Sequence, residues 1–222
     1  MKKAVERTAR WGRALIVTGS LLGLGLGVAG CSESDRPLEP PVRFDGNIFG
    51  TFYQVTIMDP LTQGESLELE EGFKAELESV DQAMSTYRDD SELIAFNEAP
   101  LDEWQPLSNE LIDVLAISQS VAEASHGAFD ITVGDLVNLW SFGPGARPET
   151  VPSDDALSEE LAQVGIDALE IDTQNMQARR TRDVFVDLSG VAKGHATDRV
   201  AAYLDQQGME HYLVNLGLAG WH

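Results

Sequence analysis

Three stretches of the chain combine glycine, aromatic and charged residues closely enough to do chemistry. In the first, Gly190-Val191-Ala192-Lys193-Gly194 follows the apolar Val186-Asp187-Leu188. A strand ending in a glycine-bearing loop that opens a helix presents unpaired amides and the positive end of a dipole, and a lysine there adds a full charge. That is a place for a phosphate or pyrophosphate, although it is not a Walker loop, which would read G-x-x-x-x-G-K-[ST]. His195 and Asp198, in the first helical turn, read as cap and surface groups. In the second stretch, His126-Gly127-Ala128-Phe129-Asp130-Ile131-Thr132, Gly127 frees the backbone for a close approach, Phe129 offers a ring, and Asp130 and Thr132 offer polar groups. Leu136, Leu139 and Trp140 beyond it read as core. The third, Ser85-Thr86-Tyr87-Arg88, lies at a corner between two helices, where Tyr87 could wall a flat ring while its hydroxyl stays hydrated.

The elements around these stretches are legible from periodicity. Residues 49–58 are aromatic and β-branched and read as a strand ended by Asp59-Pro60. Leu69, Phe73, Leu77, Val80 and Met84 recur at helical spacing, which predicts an amphipathic helix over residues 66–84. Ser91 caps a short following helix. Ser108 caps another, with Leu111, Ile112, Leu115 and Val121 on its buried side and Gly127 closing it. Ser153 starts a helix to about residue 164, residues 168–188 read as a hairpin turning near Gln174-Asn175, residues 196–206 as a helix, and residues 212–216 as a last strand. Strands and helices mix without strict alternation and no G-x-G-x-x-G follows a strand. The expectation is an α+β fold with a mixed, largely antiparallel sheet and flanking helices.

Ahead of this lies a different kind of sequence. Residues 1–30 run from a basic start (Lys2, Lys3, Arg7, Arg10, Arg13) through an apolar, glycine-broken stretch to Val28-Ala29-Gly30-Cys31. This is the order of an export signal, and it is shorter than a spanning helix requires. Cys31 is the only cysteine, so no internal disulfide forms. Residues 31–41 are polar and proline-rich, the composition of a linker, and the folded region is expected over residues 42–222. The chain carries a net charge of −22, and the leader takes five bases with it against one acid, so the remainder is more acidic still. Nucleic acid and anionic bilayers would be repelled. A small phosphorylated ligand is not excluded, because local amides can reverse the field.

The ordered strings STY-R-D-DSEL-FN, GAFDITVG-LVNLW-FGP, VDLSGVAKG-A-D and YLVNLG, behind what resembles a lipobox at Val28-Ala29-Gly30-Cys31, resemble the ApbE family of flavin transferases over residues 47–217. The resemblance implies a lipoprotein, lipidated on Cys31 and facing the periplasm from the bacterial cell envelope. It implies an enzyme that transfers the FMN half of FAD to a Thr or Ser hydroxyl of a flavin-acceptor protein, such as a redox complex subunit, using Mg²⁺ and releasing AMP. Position by position it places FAD contacts at Phe49, Tyr87, Ala128, Phe129, Asp130, Asp187 and Lys193 and a metal-ligating oxygen at Gly190. It does not identify the base that activates the acceptor.

Two departures from the family pattern stand out. Phe49-Gly50-Thr51 replaces Met-Gly-Thr. After Gly217 the chain reads Leu-Ala-Gly-Trp-His222, where the family continues with a long stretch bearing an Asp and a Thr or Ser as further metal ligands. The second half of the family's fold is thus expected to be missing from this sequence. That leaves open two further readings, a non-catalytic FAD-binding lipoprotein and a Mg-dependent FAD pyrophosphatase.

Overall fold

The computed structural model describes residues 33–143 and 151–217. The signal segment and Cys31 lie outside the described residues. Six strands and six α-helices follow one another as β1 (Val42–Ile48), β2 (Thr51–Ile57), α1 (Gln63–Met84), α2 (Glu92–Glu98), β3 (Gln105–Pro106), α3 (Asn109–Ala124), α4 (Gly134–Leu139), α5 (Asp154–Leu161), β4 (Leu169–Asp172), β5 (Gln177–Arg180), α6 (Ala192–Gln206) and β6 (Tyr212–Leu216). They form two three-stranded sheets, ordered β1-β2-β6 and β3-β5-β4, and every pairing is antiparallel. The α+β architecture is the one expected.

The core forms where β2 faces α1. Tyr53, Val55 and Ile57 alternate inward along β2 and meet the stripe Leu69, Phe73, Leu77, Val80, Met84, each fully buried side chain being worth roughly 1.5–3 kcal/mol. Phe73 sits edge-on between Phe44 and Tyr53, at centroid distances of 5.4 and 5.9 Å. α6 closes the other side with Ala196, Val200 and Leu204. It packs close to α1 because Gly72 has no side chain, and a Cβ there would overlap the Tyr203 hydroxyl.

Several boundaries differ from the sequence reading. α1 begins three residues earlier, at Gln63, through a capping box in which the Thr62 hydroxyl accepts the Glu65 amide and the Glu65 carboxylate accepts the Thr62 amide. Periodicity missed this turn because it is wholly polar. Val121, expected on the buried side of α3, is 44% exposed; the buried stripe runs through Leu111, Leu115, Ser118 and Ala122 and leaves it one position off. The hairpin expected over residues 168–188 ends at Arg180. Within residues 31–41, Arg36 and Leu38 are tied to the fold, since the Leu38 amide donates to the Leu61 carbonyl and the Gln63 amide to the Arg36 carbonyl.

Candidate functional site

The segments that line the site owe their shapes to side-chain hydrogen bonds more than to ladders. β1 and β2 are joined by Phe49-Gly50 alone, both left-handed at φ 52 and 68, as a two-residue hairpin turn of type I′ requires. Glycine tolerates this and phenylalanine does not. The strained ring is half-buried against the core and lines a cleft.

The corner after α1 is tied by Ser91, which caps α2 at the Ile94 amide and donates its hydroxyl to the Ser85 carbonyl at 2.6 Å. Arg88 clamps it from outside through Glu78, Gln82 and Asp90 at 2.7, 2.6 and 3.1 Å. Tyr87 stands between them, 56% exposed, its hydroxyl 3.4 Å from the Phe142 carbonyl.

Residues 128–133 form a turn rather than a strand. The carboxylate of Asp130 accepts the Thr132 amide at 2.8 Å and hydroxyl at 2.7 Å, an Asx turn that competes with extended pairing. The short helix α4 follows. Leu136 lines the cleft and Trp140 is 42% exposed, so the core role expected for this segment is corrected. Gly134 is required here because a Cβ would fall 2.5 Å from Phe185.

Opposite lies residues 184–188, extended but outside any sheet. Arg180 donates to the Val184 carbonyl, the Phe185 amide donates to Asp135, Asn97 bonds both backbone groups of Val186, and the Asp187 amide donates to the Ile131 carbonyl. Arg180 is buried, and desolvation pulls its pKa down. The strap delivers Asp187, which is 9% exposed and accepts the Ser189 amide at 2.7 Å. The chain then enters α6 at Ala192, earlier than residue 196, because the Ala192 and His195 amides already reach back to Leu188 and Val191. Lys193 therefore sits in the first helical turn. That turn holds no acid, and Val191 gives it no side-chain cap. Lys193 is exposed and has no acid partner among the described residues. His195, read as a cap or surface group, instead bonds Glu110 of α3 at 3.1 Å.

These pieces meet around one cleft of about 780 Å³, within the range of small-molecule sites. All eight positions singled out for cofactor or metal, Phe49, Tyr87, Ala128, Phe129, Asp130, Asp187, Gly190 and Lys193, line it. The lining combines apolar side chains, Leu136, Val137, Phe142, Leu161 and Val164, with polar ones, Thr51, Asp130, Asp187, Ser189 and Lys193. Sequence reasoning missed the contribution of α5, whose Leu161 carries no motif; Ser85 and Thr86, named only as part of the stretch around Tyr87, line the cleft as well. At the end of β6, Gly217 lies against two of these polar residues, where a Cβ would meet Lys193 and Thr51 at 3.2 and 3.3 Å. Mg²⁺ demands near-octahedral oxygen ligation. Among the described residues no three His, Cys, Asp or Glu converge on one point.

The model of the ApbE family matches residues 49–218. The chain belongs to the ApbE family. It is 39% identical over 203 residues to an FAD:protein FMN transferase of Vibrio cholerae serotype O1, covering 91% of this chain and 58% of that protein. To the FAD:protein FMN transferase of Klebsiella pneumoniae it is 34% identical over 204 residues, 89% of this chain and 58% of that one. The solved flavin transferase ApbE from Vibrio cholerae superposes with a TM-score of 0.74 at 38% identity, over 79% of this chain and 57% of that one. The apo flavinyl transferase ApbE of Pseudomonas stutzeri gives 0.72 at 31% identity, over 80% and 59%. The chain thus spans 58% of the length of these curated relatives.

Proposed function

We propose that the cleft binds FAD and that the protein transfers its FMN half to a Thr or Ser hydroxyl of an acceptor protein. The observation that carries this is the convergence of the eight positions on one cleft lined by both apolar and polar side chains. Flat rings fit against Phe49, Tyr87 and Phe129. The pyrophosphate fits at the start of α6, where the helix dipole and Lys193 act together. Asp130 and Asp187 accept hydrogen bonds from polar edges of the ligand. In the reaction the acceptor oxygen forms a bond to the FMN-side phosphorus, the bond from that phosphorus to the AMP-side oxygen breaks, and AMP leaves with the electron pair as the hydroxyl proton is lost. Lys193 stabilises charge that grows on the phosphate oxygens, the kind of term that dominates phosphoryl transfer.

The names of the relatives at 34–39% identity support this reading, as does the absence of any acid partner for Lys193 among the described residues. Incubation with FAD, Mg²⁺ and an acceptor domain tests it. Covalent flavin on the acceptor together with AMP is the expected result. AMP with free FMN would instead make the protein an FAD pyrophosphatase, and unchanged bound FAD would leave a flavin-binding protein. Replacing Lys193 by Ala is expected to weaken FAD binding by roughly tenfold or more, since a charge-assisted bond is worth roughly 1.5–3 kcal/mol. Lys74→Ala, which removes an exposed partner of Glu70 on α1, leaves binding unchanged. Equal dissociation constants for the two variants would remove the phosphate from the start of α6.

The same proposal places the protein at the membrane, facing the periplasm, through a lipid on Cys31. No helix among the described residues is long and apolar enough to cross a membrane. Labelling cells with a fatty-acid analogue is expected to mark the wild type and not Cys31→Ser, and label retained in the variant would refute it.

A further inference from the structure

Asp130 reaches the cleft with only one oxygen to spare. Its Oδ1 accepts both the amide and the hydroxyl of Thr132, at 2.8 and 2.7 Å, and its Oδ2 has no hydrogen-bond partner among the described residues. Thr132 is 1% exposed, and its Oγ1 in turn accepts the Gly165 amide at 2.9 Å. Gly165 follows Val164, part of the apolar lining of the cleft, and its carbonyl accepts from Arg182, which is paired with Asp167 at 2.7 Å. A single hydroxyl therefore fixes the rotamer of an acid that lines the cleft and anchors the backbone next to Val164, which lines it too. A hydroxyl is the group the geometry needs, because it donates in one direction and accepts in the other.

We infer that Thr132 is a positioning residue for FAD. It acts through Asp130, turning Oδ2 toward an N–H or O–H of the ligand, and it holds the Val164 wall at the matching distance from that contact. The inference rests on the reading of the cleft as an FAD site. A valine at position 132 keeps the shape, removes the donor to Asp130 and takes away the acceptor of the part-buried Gly165 amide, whereas a serine keeps both bonds.

The test is a double-mutant cycle on the dissociation constant for FAD, read by flavin fluorescence with the full chain, with thermal melts of every variant. Thr132→Val is expected to weaken binding about tenfold, Thr132→Ala likewise, and Thr132→Ser to stay within about threefold of wild type. Asp130→Ala should weaken binding too, and adding Thr132→Val to it should cost less than Thr132→Val costs in the wild type, because the route through Asp130 is already lost and only the bond to Gly165 remains to be broken. Whichever disabling variant melts cooperatively carries the comparison. Wild-type affinity in that variant, additive losses in the double variant, or a Thr132→Ser protein as weak as Thr132→Val would each overturn the positioning role and leave the FAD reading standing. An Asp130→Ala protein that binds FAD as wild type does would overturn the positioning role together with the carboxylate contact, and the Lys193 comparison would then decide whether FAD occupies the cleft at all.

Discussion

Asn97 and Val186 are 89 residues apart in sequence, and the side-chain amide of the first bonds both backbone groups of the second. Its Nδ2 donates to the Val186 carbonyl at 2.9 Å and its Oδ1 accepts the Val186 amide at 2.8 Å. Both residues are buried, so the pair takes the place of a ladder rung that no strand provides, and Asp187 follows directly on the cleft side. Asn97→Leu keeps most of the volume but leaves two buried backbone groups unpaired, each costing about 1–3 kcal/mol. A loss of roughly 2–5 kcal/mol in urea unfolding is expected. A loss below about 0.5 kcal/mol, the scale of a surface change, would mean that the strap finds other partners.

Phe49 is strained where it stands, and relief of that strain separates stability from binding. A non-glycine residue held in the left-handed region costs of the order of 1–3 kcal/mol, while Asn-Gly is the favoured pair for this turn. Phe49→Asn is therefore expected to keep or raise the melting temperature, even though a half-buried ring is lost, and to weaken FAD binding about tenfold. A fall of many degrees in Tm with unchanged binding would invert the assignment and make the ring a purely structural one.

Ser118 is 1% exposed in the middle of α3, and its hydroxyl has no hydrogen-bond partner among the described residues. An unpaired buried hydroxyl carries a desolvation cost of about 1–3 kcal/mol, and alanine is also the better helix former. Ser118→Ala should raise the urea midpoint by an amount equivalent to about 1 kcal/mol with no change in m. A destabilised variant would show that the hydroxyl is bonded in solution.

Asp59 holds the entry to β6. Its Oδ2 accepts the amides of Glu210 and His211 at 3.0 and 2.8 Å, and its Oδ1 lies 3.1 Å from the His211 Nδ1. These bonds, the His211 amide first, hold its carboxyl below the usual range. The folded value lies below the unfolded one, so the contribution to stability is present above the unfolded carboxylate value of about 3.9 and is lost as pH falls through the lower folded value. Asp59→Asn should therefore reduce hydrogen-exchange protection of the β6 amides near neutral pH, with the difference from wild type vanishing at acid pH. A difference of the same size at both ends would assign it to packing alone.

What the sequence showed and what it withheld divide along a physical line. Long apolar periodicities placed α1, α3 and β6, and the glycine-rich strings placed the cleft residues. β1 was overlooked although Val42, Phe44 and Ile48 alternate, because Gly46 interrupts the pattern; that glycine leaves room for the Tyr53 ring. The strap at residues 184–188 was read as a strand because its residues have strand composition. It has no ladder, and besides the nearby Arg180 its bonds come from Asn97, Asp135 and the backbone of Ile131 and Gly134, which nothing local in the sequence connects to it. Thr132 was visible only as a nearby polar group. Its link to Gly165 depends on tertiary contact across 33 residues.

β2 lies in the middle of its sheet, between a neighbour that precedes it immediately and one that reaches the clamp at Asp59 from 152 residues downstream. During synthesis the β1-β2 hairpin is therefore made early and waits with one edge bare until nearly all of the described chain has been added. A bare apolar edge invites pairing with other chains, and Gly217, which follows β6 and lies beside Lys193, is the last described residue to arrive. Until then the cleft is open beside Lys193, so the nascent polypeptide has to be shielded from its neighbours before it has a finished pocket that a ligand could stabilise.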